Sequence, residues 1–122
     1  MIDIPRLSAS FRHAFFGVLF AFKHNQNLRI HFCVAALVII ISIFFRVNAF
    51  EMGILGVMIL LVISAEMVNT AIEEMSDLIT KEHREEAKIA KDVAAGMVLI
   101  TAIGSVVVGF LIFLPYVLKF VR

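Results

Sequence analysis

The sequence predicts an all-α integral membrane protein with three transmembrane helices and an N-terminal amphipathic surface helix. Of its 122 residues, 61% are hydrophobic and 17% are charged, and the mean hydropathy is +1.00. Average soluble domains are about 45–50% apolar and about 25% charged, so a soluble core of this length has no room for so many apolar side chains. The apolar residues fall in three continuous runs without the alternation of a β-strand. Helices are therefore expected, because they satisfy their own backbone hydrogen bonds in lipid.

The surface helix is predicted over residues 6–29. Phe11, Phe15, Leu19 and Phe22 follow one another at steps of four, four and three, with basic residues between them. This is the spacing of an amphipathic helix, which lies in the plane of the membrane interface with its apolar side towards the lipid.

The chain is predicted to form one domain over 1–122, with membrane spans over 30–47, 50–78 and 86–119. The uncharged runs inside the first two spans cover about 24 and 21 Å, short of a hydrocarbon core of about 30 Å, so interfacial residues must complete them. The second span is expected to continue beyond the membrane as a cytoplasmic extension.

Basic residues flank the spans unequally. Three of the eleven follow the uncharged run of the first or third span, and eight precede the first run or lie between the second run and the third. The eight are Arg6, Arg12, Lys23, Arg29, Lys81, Arg84, Lys88 and Lys91. The positive-inside rule places these eight in the cytoplasm, so the second span is expected to end on the cytoplasmic side.

The second span ends in the stretch AEMVNTAIEEMSDLI, whose polar residues share one helical stripe. Spacings of three, four and four connect Glu66, Asn69, Glu73 and Asp77. Acids that repel one another on one face need a cation, and Mg²⁺ prefers one or two carboxylates together with substrate phosphates. A carboxylate at interfacial depth can also accept a proton from a lipid hydroxyl. The alternative is that these acids belong to a solvated helix end beyond the membrane. This is our interpretation of Glu74, which lies off the stripe.

The start of the third span carries a second polar group, Lys88, Lys91 and Asp92. The lysines could hold phosphate oxygens, and Asp92 could anchor one of them. The alternative is that the lysines only fix the topology, while Asp92 interacts with the helix dipole.

Residues 66–100 resemble the small bacterial integral-membrane lipid kinases, the diacylglycerol kinases and their Gram-positive relatives, the undecaprenol kinases. The shared pattern is Glu-x-x-Asn-[Ser/Thr]-Ala-Ile-Glu-x-x-x-Asp, followed about a dozen residues later by Ala-Lys-Asp. The segment NLRIHF, residues 27–32, resembles the family's entry into the first span. The resemblance extends over most of the chain.

The resemblance implies a homotrimer in the bacterial plasma membrane, with ATP-dependent, Mg²⁺-dependent active sites at the cytoplasmic interface. An oligomer is also expected because a lone protomer would leave Glu66 and Asn69 facing lipid at high cost. The implied substrate is a membrane lipid alcohol. Undecaprenol is expected first, because NLRIHF and AKDVAAGMVL resemble the Gram-positive branch, and diacylglycerol is the alternative. No nucleic-acid partner is expected.

Matched position by position, the resemblance implies roles for individual residues. Glu66 is implied as the catalytic base that takes the proton of the lipid hydroxyl, and Asn69 as the amide that orients the reacting groups around the lipid substrate. Glu73 is implied as the carboxylate ligand of the metal on ATP. Three further residues are implied to serve the nucleotide: Lys91, Asp92 and Arg29.

One position departs from the family pattern. Two residues before Asn27 the family has a glutamate, a second metal carboxylate, and this sequence has Asn25. An amide offers an oxygen without a charge, so we expect a weakened metal position at Asn25. Neither Glu74 nor Glu51 is expected to replace it, because the first lies off the stripe and the second on the outer side. A third interpretation therefore stays open, a catalytically weak or silent member acting as a membrane structural or lipid-binding protein.

Overall fold

The computed structural model describes residues 1 and 3–122, which form four α-helices and no β-strand. The helices are α1 (Ile4–His24), α2 (Gln26–Phe44), α3 (Ala49–Ile79) and α4 (Glu85–Val121). Three of them, α2, α3 and α4, are long and apolar enough to cross a membrane. The predicted all-α class with three spans is confirmed. The interfacial position of α1 stays a prediction.

The first helix is shorter than the surface helix predicted over 6–29, because the chain bends at Asn25. This residue has an extended backbone, with φ −105° and ψ 114°, and its N–H still bonds to the carbonyl of Ala21. Its side-chain oxygen caps α2 by accepting hydrogen bonds from the N–H groups of Asn27 and Leu28. Asparagine is among the best N-capping residues, so a new helix begins where the periodic pattern alone predicts a continuous one.

Helix α3 is the centre of the fold. It packs against α4, α2 and α1, and α2 also contacts α4 through Phe44 and Phe120, whose ring centroids lie 5.8 Å apart. At one end, Val47, Leu55 and Ile112 form a small apolar core. At the other end, Leu28 and Ala65 are fully buried where the bend between α1 and α2 meets α3.

The length of α3 sets the depth of its polar residues. Its 31 residues extend about 46 Å, well beyond a hydrocarbon core of about 30 Å. Counted from Ala49, Glu66 lies about 26 Å along the axis and Glu73 about 36 Å. If α3 enters the membrane at Ala49, Glu66 lies near the opposite interface and Glu73 beyond it.

Helix α2 ends in a Schellman motif, which turns the chain towards α3. The N–H of Val47 bonds to the carbonyl of Ser42, and the N–H of Arg46 bonds to that of Ile43. This motif places one residue in the left-handed region, a position that usually holds glycine. Here it is Arg46, with φ 52°. Backbone strain is therefore present at Arg46.

Arg46→Gly is expected to stabilise the protein by about 0.5–1 kcal/mol, because glycine adopts the left-handed conformation without steric cost. A thermal melt followed by circular dichroism in detergent measures the change. Arg46→Ala is the control, since alanine removes the arginine side chain and keeps the steric cost. An equal gain in both variants would mean that the arginine side chain, and not the backbone, causes the strain.

Candidate functional site

The carboxylate of Glu66 is buried at the bend between α1 and α2. The side chain is 1% exposed. Its Oε1 accepts a hydrogen bond of 2.7 Å from Nδ2 of Asn25, and the same Nδ2 donates to Oγ1 of Thr70, also at 2.7 Å. Thr70 Oγ1 in turn donates to the backbone carbonyl of Glu66. Thr70 was not predicted as a site residue, although its position four residues after Glu66 places it on the same stripe.

The expectation that a lone protomer leaves Glu66 and Asn69 facing lipid is wrong. Asn69 is 5% exposed and Glu66 is 1% exposed within a single chain. For Glu66 the reason is the bend at Asn25, whose side chain lies against the carboxylate and hydrogen-bonds to it. The burial of these two residues is therefore no argument for an oligomer.

Asn69 and Glu73 form a second contact, one turn further along α3. Nδ2 of Asn69 donates to Oε1 of Glu73 at 3.1 Å. Within the described residues, Oδ1 of Asn69 is buried and has no hydrogen-bond partner. Buried polar atoms are almost always paired, so this oxygen has capacity for a ligand atom that donates a hydrogen bond or for a cation.

Asn69 and Glu73 carry the types of oxygen that would hold a magnesium ion shared with phosphates. Among the described residues no three His, Cys, Asp or Glu side chains gather closely enough to hold a metal by themselves. Mg²⁺ does not require such a cage, because it commonly takes one or two carboxylates plus phosphate oxygens and water. The exposed carboxylate of Glu73 and the buried Oδ1 of Asn69 are the donors available here.

A small polar pocket lies between the bend and α3. Its lining residues are His24, Asn25, Gln26, Asn27, Thr70, Glu73 and Glu74. Glu74 is exposed, as predicted for a solvated residue, but it also borders the same pocket as Glu73. Residues of the bend form part of the pocket wall. The adjacent residues Glu73 and Glu74 therefore both border the pocket, although only Glu73 lies on the stripe.

Lys91 pairs with Asp77 and not with Asp92. Nζ of Lys91 lies 2.5 Å from Oδ1 of Asp77, and this pair joins the start of α4 to the end of α3. The expectation that Asp92 anchors a lysine is not met for Lys91, because adjacent helical residues point about 100° apart. Both side chains of the pair are partly exposed, at 37% and 68%, so solvent screens the pair and its contribution to stability is small. The main consequence of the pair is to position the lysine.

Asp92 and Lys88 line a larger open cavity of about 970 Å³ together with Lys91 and Asp77. The cavity lies at the connection between α3 and α4, where the side chains of Lys81, His83 and Arg84 also contribute. The lining carries four basic and four acidic side chains, and the basic ones can contact a polyanion such as a nucleotide.

Arg29 lies at the bend, where it caps α1. Its Nη1 donates to the backbone carbonyls of Phe22, at 3.2 Å, and Lys23, at 2.7 Å. A cation at a helix C-terminus satisfies carbonyls that have no partner within the helix and interacts favourably with the helix dipole. Its implied role near phosphates stays a prediction.

Comparison with known proteins agrees with the resemblance seen in the sequence. A family model described as prokaryotic diacylglycerol kinase matches residues 12–113. A diacylglycerol kinase of Synechocystis sp. is 40% identical over 116 residues, which are 94% of this chain and 66% of that protein. An undecaprenol kinase of Bacillus subtilis is 38% identical over 113 residues, 93% of this chain and 92% of that protein. The chain thus spans just under two thirds of the first relative and nearly all of the second, and it belongs to the prokaryotic diacylglycerol kinase family.

Proposed function

We propose that this chain transfers the γ-phosphoryl group of ATP to the hydroxyl of a membrane lipid alcohol, with Mg²⁺, at the cytoplasmic face of a bacterial plasma membrane. The observation that carries the proposal is the family match over residues 12–113. Both relatives are named as kinases of lipid alcohols. Phosphoryl transfer depends mainly on positioning and charge neutralisation, which a few carboxylates, an amide and lysines can supply.

Glu66 is proposed as the general base. It takes the proton of the lipid hydroxyl while that oxygen bonds to the γ-phosphorus, and the bond from phosphorus to the bridging oxygen of ADP breaks. Its depth supports this role, because a position about 26 Å along α3 is close to the interface where lipid head groups lie.

Asn69 and Glu73 are proposed to hold the magnesium of ATP, which neutralises phosphate charge when it is bound. Asn69 also orients the lipid hydroxyl beside Glu66. The resemblance implies a second metal position at Asn25, but the oxygen of that amide is engaged with backbone N–H groups of α2. Glu73 is therefore the carboxylate on which the proposal relies.

The nucleotide is proposed to bind in the cavity between α3 and α4. Lys91, held by Asp77, would contact phosphate oxygens, and Asp92 would accept hydrogen bonds from the nucleoside. Arg29 uses one nitrogen to cap α1, and its other guanidinium nitrogens are available to phosphates.

An apolar groove on α3 supports a lipid substrate. The groove has a volume of about 270 Å³ and lies between α2 and α4, with Val38, Val62 and Phe110 among its lining residues. A hydrocarbon chain fits this lining, and its head would then point towards the end of α3 that carries Glu66.

Undecaprenol is the substrate proposed first, on the likeness of NLRIHF and AKDVAAGMVL to the Gram-positive branch. Diacylglycerol is the second candidate, favoured by the relative with 40% identity. Radiolabelled ATP with the purified chain in mixed micelles tests both, each lipid being added at equal surface concentration. Faster labelling of diacylglycerol would overturn the choice of substrate alone. Labelling of neither lipid would overturn the proposed activity and favour a silent member.

A homotrimer is expected from the resemblance. Light scattering in a mild detergent, corrected for bound detergent, should give the mass of three chains. Circular dichroism on the same sample checks that the helices are intact. A folded protein with the mass of a single chain would contradict the expected assembly.

A further inference from the structure

Asn25 is the single residue between α1 and α2, and all of its hydrogen-bonding groups are engaged. Its N–H donates to the carbonyl of Ala21, which closes α1. Its Oδ1 accepts from the N–H groups of Asn27 at 2.8 Å and Leu28 at 3.2 Å, which opens α2. Its Nδ2 makes the two bonds to Glu66 and Thr70 already described.

The orientation of the amide follows from these partners. The two backbone N–H groups of α2 can only donate, so the oxygen of Asn25 faces them and the nitrogen faces Glu66. An amide has two acceptor lone pairs and two donor hydrogens, and all four are in use here. A carboxylate at position 25 could cap α2 but could not donate to Glu66. Asparagine therefore suits this bend chemically, and the family's glutamate would lack the donor.

The contact leaves half of the Glu66 carboxylate free. Oε1 is held by Asn25, and no described side chain hydrogen-bonds to Oε2. A carboxylate fixed through one oxygen presents the other in a defined direction. The nearest alternative rotamers would lose a charge-assisted hydrogen bond, the stronger class of such bonds.

We propose that Asn25 is a positioning residue, which fixes the Glu66 carboxylate so that its free oxygen faces the lipid hydroxyl. The inference rests on the proposed function, in which Glu66 is the base. It competes with the expectation that Asn25 is a weakened metal position, because an oxygen that caps α2 cannot also bind a cation. The two interpretations predict opposite results for a carboxylate at this position.

Asn25→Asp separates them. Aspartate has nearly the same size as asparagine and caps helices equally well, so α2 keeps its N-cap. It replaces the donor that faces Glu66 with a second acceptor and adds a negative charge. If Asn25 is a positioning residue, kcat should fall at least about tenfold in this variant, because misplacing a reacting group by about 1 Å can lower the rate by about 10²-fold. The KM for ATP and the magnesium concentration for half-maximal rate should stay within about twofold.

Asn25→Ser is the matched control without added charge. Serine also caps α2, but its side chain is too short to reach Glu66, so kcat should fall here too. A purely structural role for Asn25 would leave kcat unchanged below the melting temperature. Wild-type kcat in both variants would overturn the inference. So would a lower half-maximal magnesium concentration together with a faster rate in Asn25→Asp or Asn25→Glu, which the metal position predicts.

Thermal melting, which does not depend on enzyme activity, tests the contact between Asn25 and Glu66 itself. Asn25→Asp should lower the melting temperature by about 5 °C or more, since two carboxylates then face each other. Adding Glu66→Gln exchanges amide and carboxylate across the same contact, so the double variant should regain most of this loss. Without such recovery, the hydrogen bond from Asn25 does not hold the Glu66 carboxylate, and the inference is overturned. If the wild-type protein labels no lipid, the proposed function is refuted. The melting temperatures of the single and double variants would still show whether Asn25 and Glu66 are coupled.

Discussion

Replacing Glu66 with glutamine is expected to lower the rate of lipid phosphorylation about 10²–10⁴-fold, the usual effect of losing a general base. Glutamine has the same size, and its carbonyl oxygen can still accept the hydrogen bond from Asn25, so the fold is kept. It cannot take a proton from the lipid hydroxyl. Nucleotide affinity should stay within a few-fold, because Glu66 lies about 10 Å before Glu73 along α3, on the lipid side of the phosphates.

Initial rates at saturating ATP, together with nucleotide binding to the same preparations, measure the two effects separately. Glu86→Gln is the control, since Glu86 is an exposed acid in the first turn of α4 and borders none of the pockets described above. It should keep wild-type turnover. A Glu66→Gln enzyme that retains more than half of wild-type turnover would exclude Glu66 as the base.

The parts of this site that follow from helix geometry could be predicted from the sequence. Glu66, Asn69 and Glu73 are three and four residues apart, so any helix through them places them on one face. The hydrogen bond from Asn69 to Glu73 is such a local contact. The three spans were predictable for a similar reason, because charged residues interrupt long apolar runs at their ends.

The contacts that join distant parts of the chain could not be predicted. Asn25 and Glu66 are 41 residues apart, and they meet only because the chain bends between α1 and α2. The amphipathic spacing continues towards this bend, and an asparagine in a polar stretch is a weak signal for a helix end. The structure also pairs Lys91 with Asp77 across a connection of several residues, where the sequence favours its neighbour Asp92.

The left-handed turn at Arg46 has the same explanation. A Schellman motif is usually recognised by glycine, and this chain has arginine there. The packing of Val47 and Leu55 in the small core fixes the path of the chain, and the backbone strain at Arg46 follows from it. Tertiary contacts thus override the local preference at this position.

Replacing Glu73 with glutamine is expected to lower the rate at limiting magnesium by at least about 100-fold, since even indirect partners of a bound metal contribute about 10- to 100-fold to its affinity. The amide keeps an oxygen that can accept the hydrogen bond from Asn69, so the local structure is preserved. It loses the negative charge that Mg²⁺ prefers.

High magnesium should restore part of the rate, because mass action compensates for weak affinity, whereas Glu66→Gln should not respond to magnesium. The measurement is a magnesium titration of lipid phosphorylation at fixed ATP for the wild type and both variants. Glu74→Gln is the matched comparison, because Glu74 borders the same pocket and lies off the stripe. The opposite result would be a half-maximal magnesium concentration that rises for Glu74→Gln and stays at the wild-type value for Glu73→Gln. Glu74 would then hold the metal, because the pocket at the bend, and not the helical stripe, would determine which carboxylate reaches the cation.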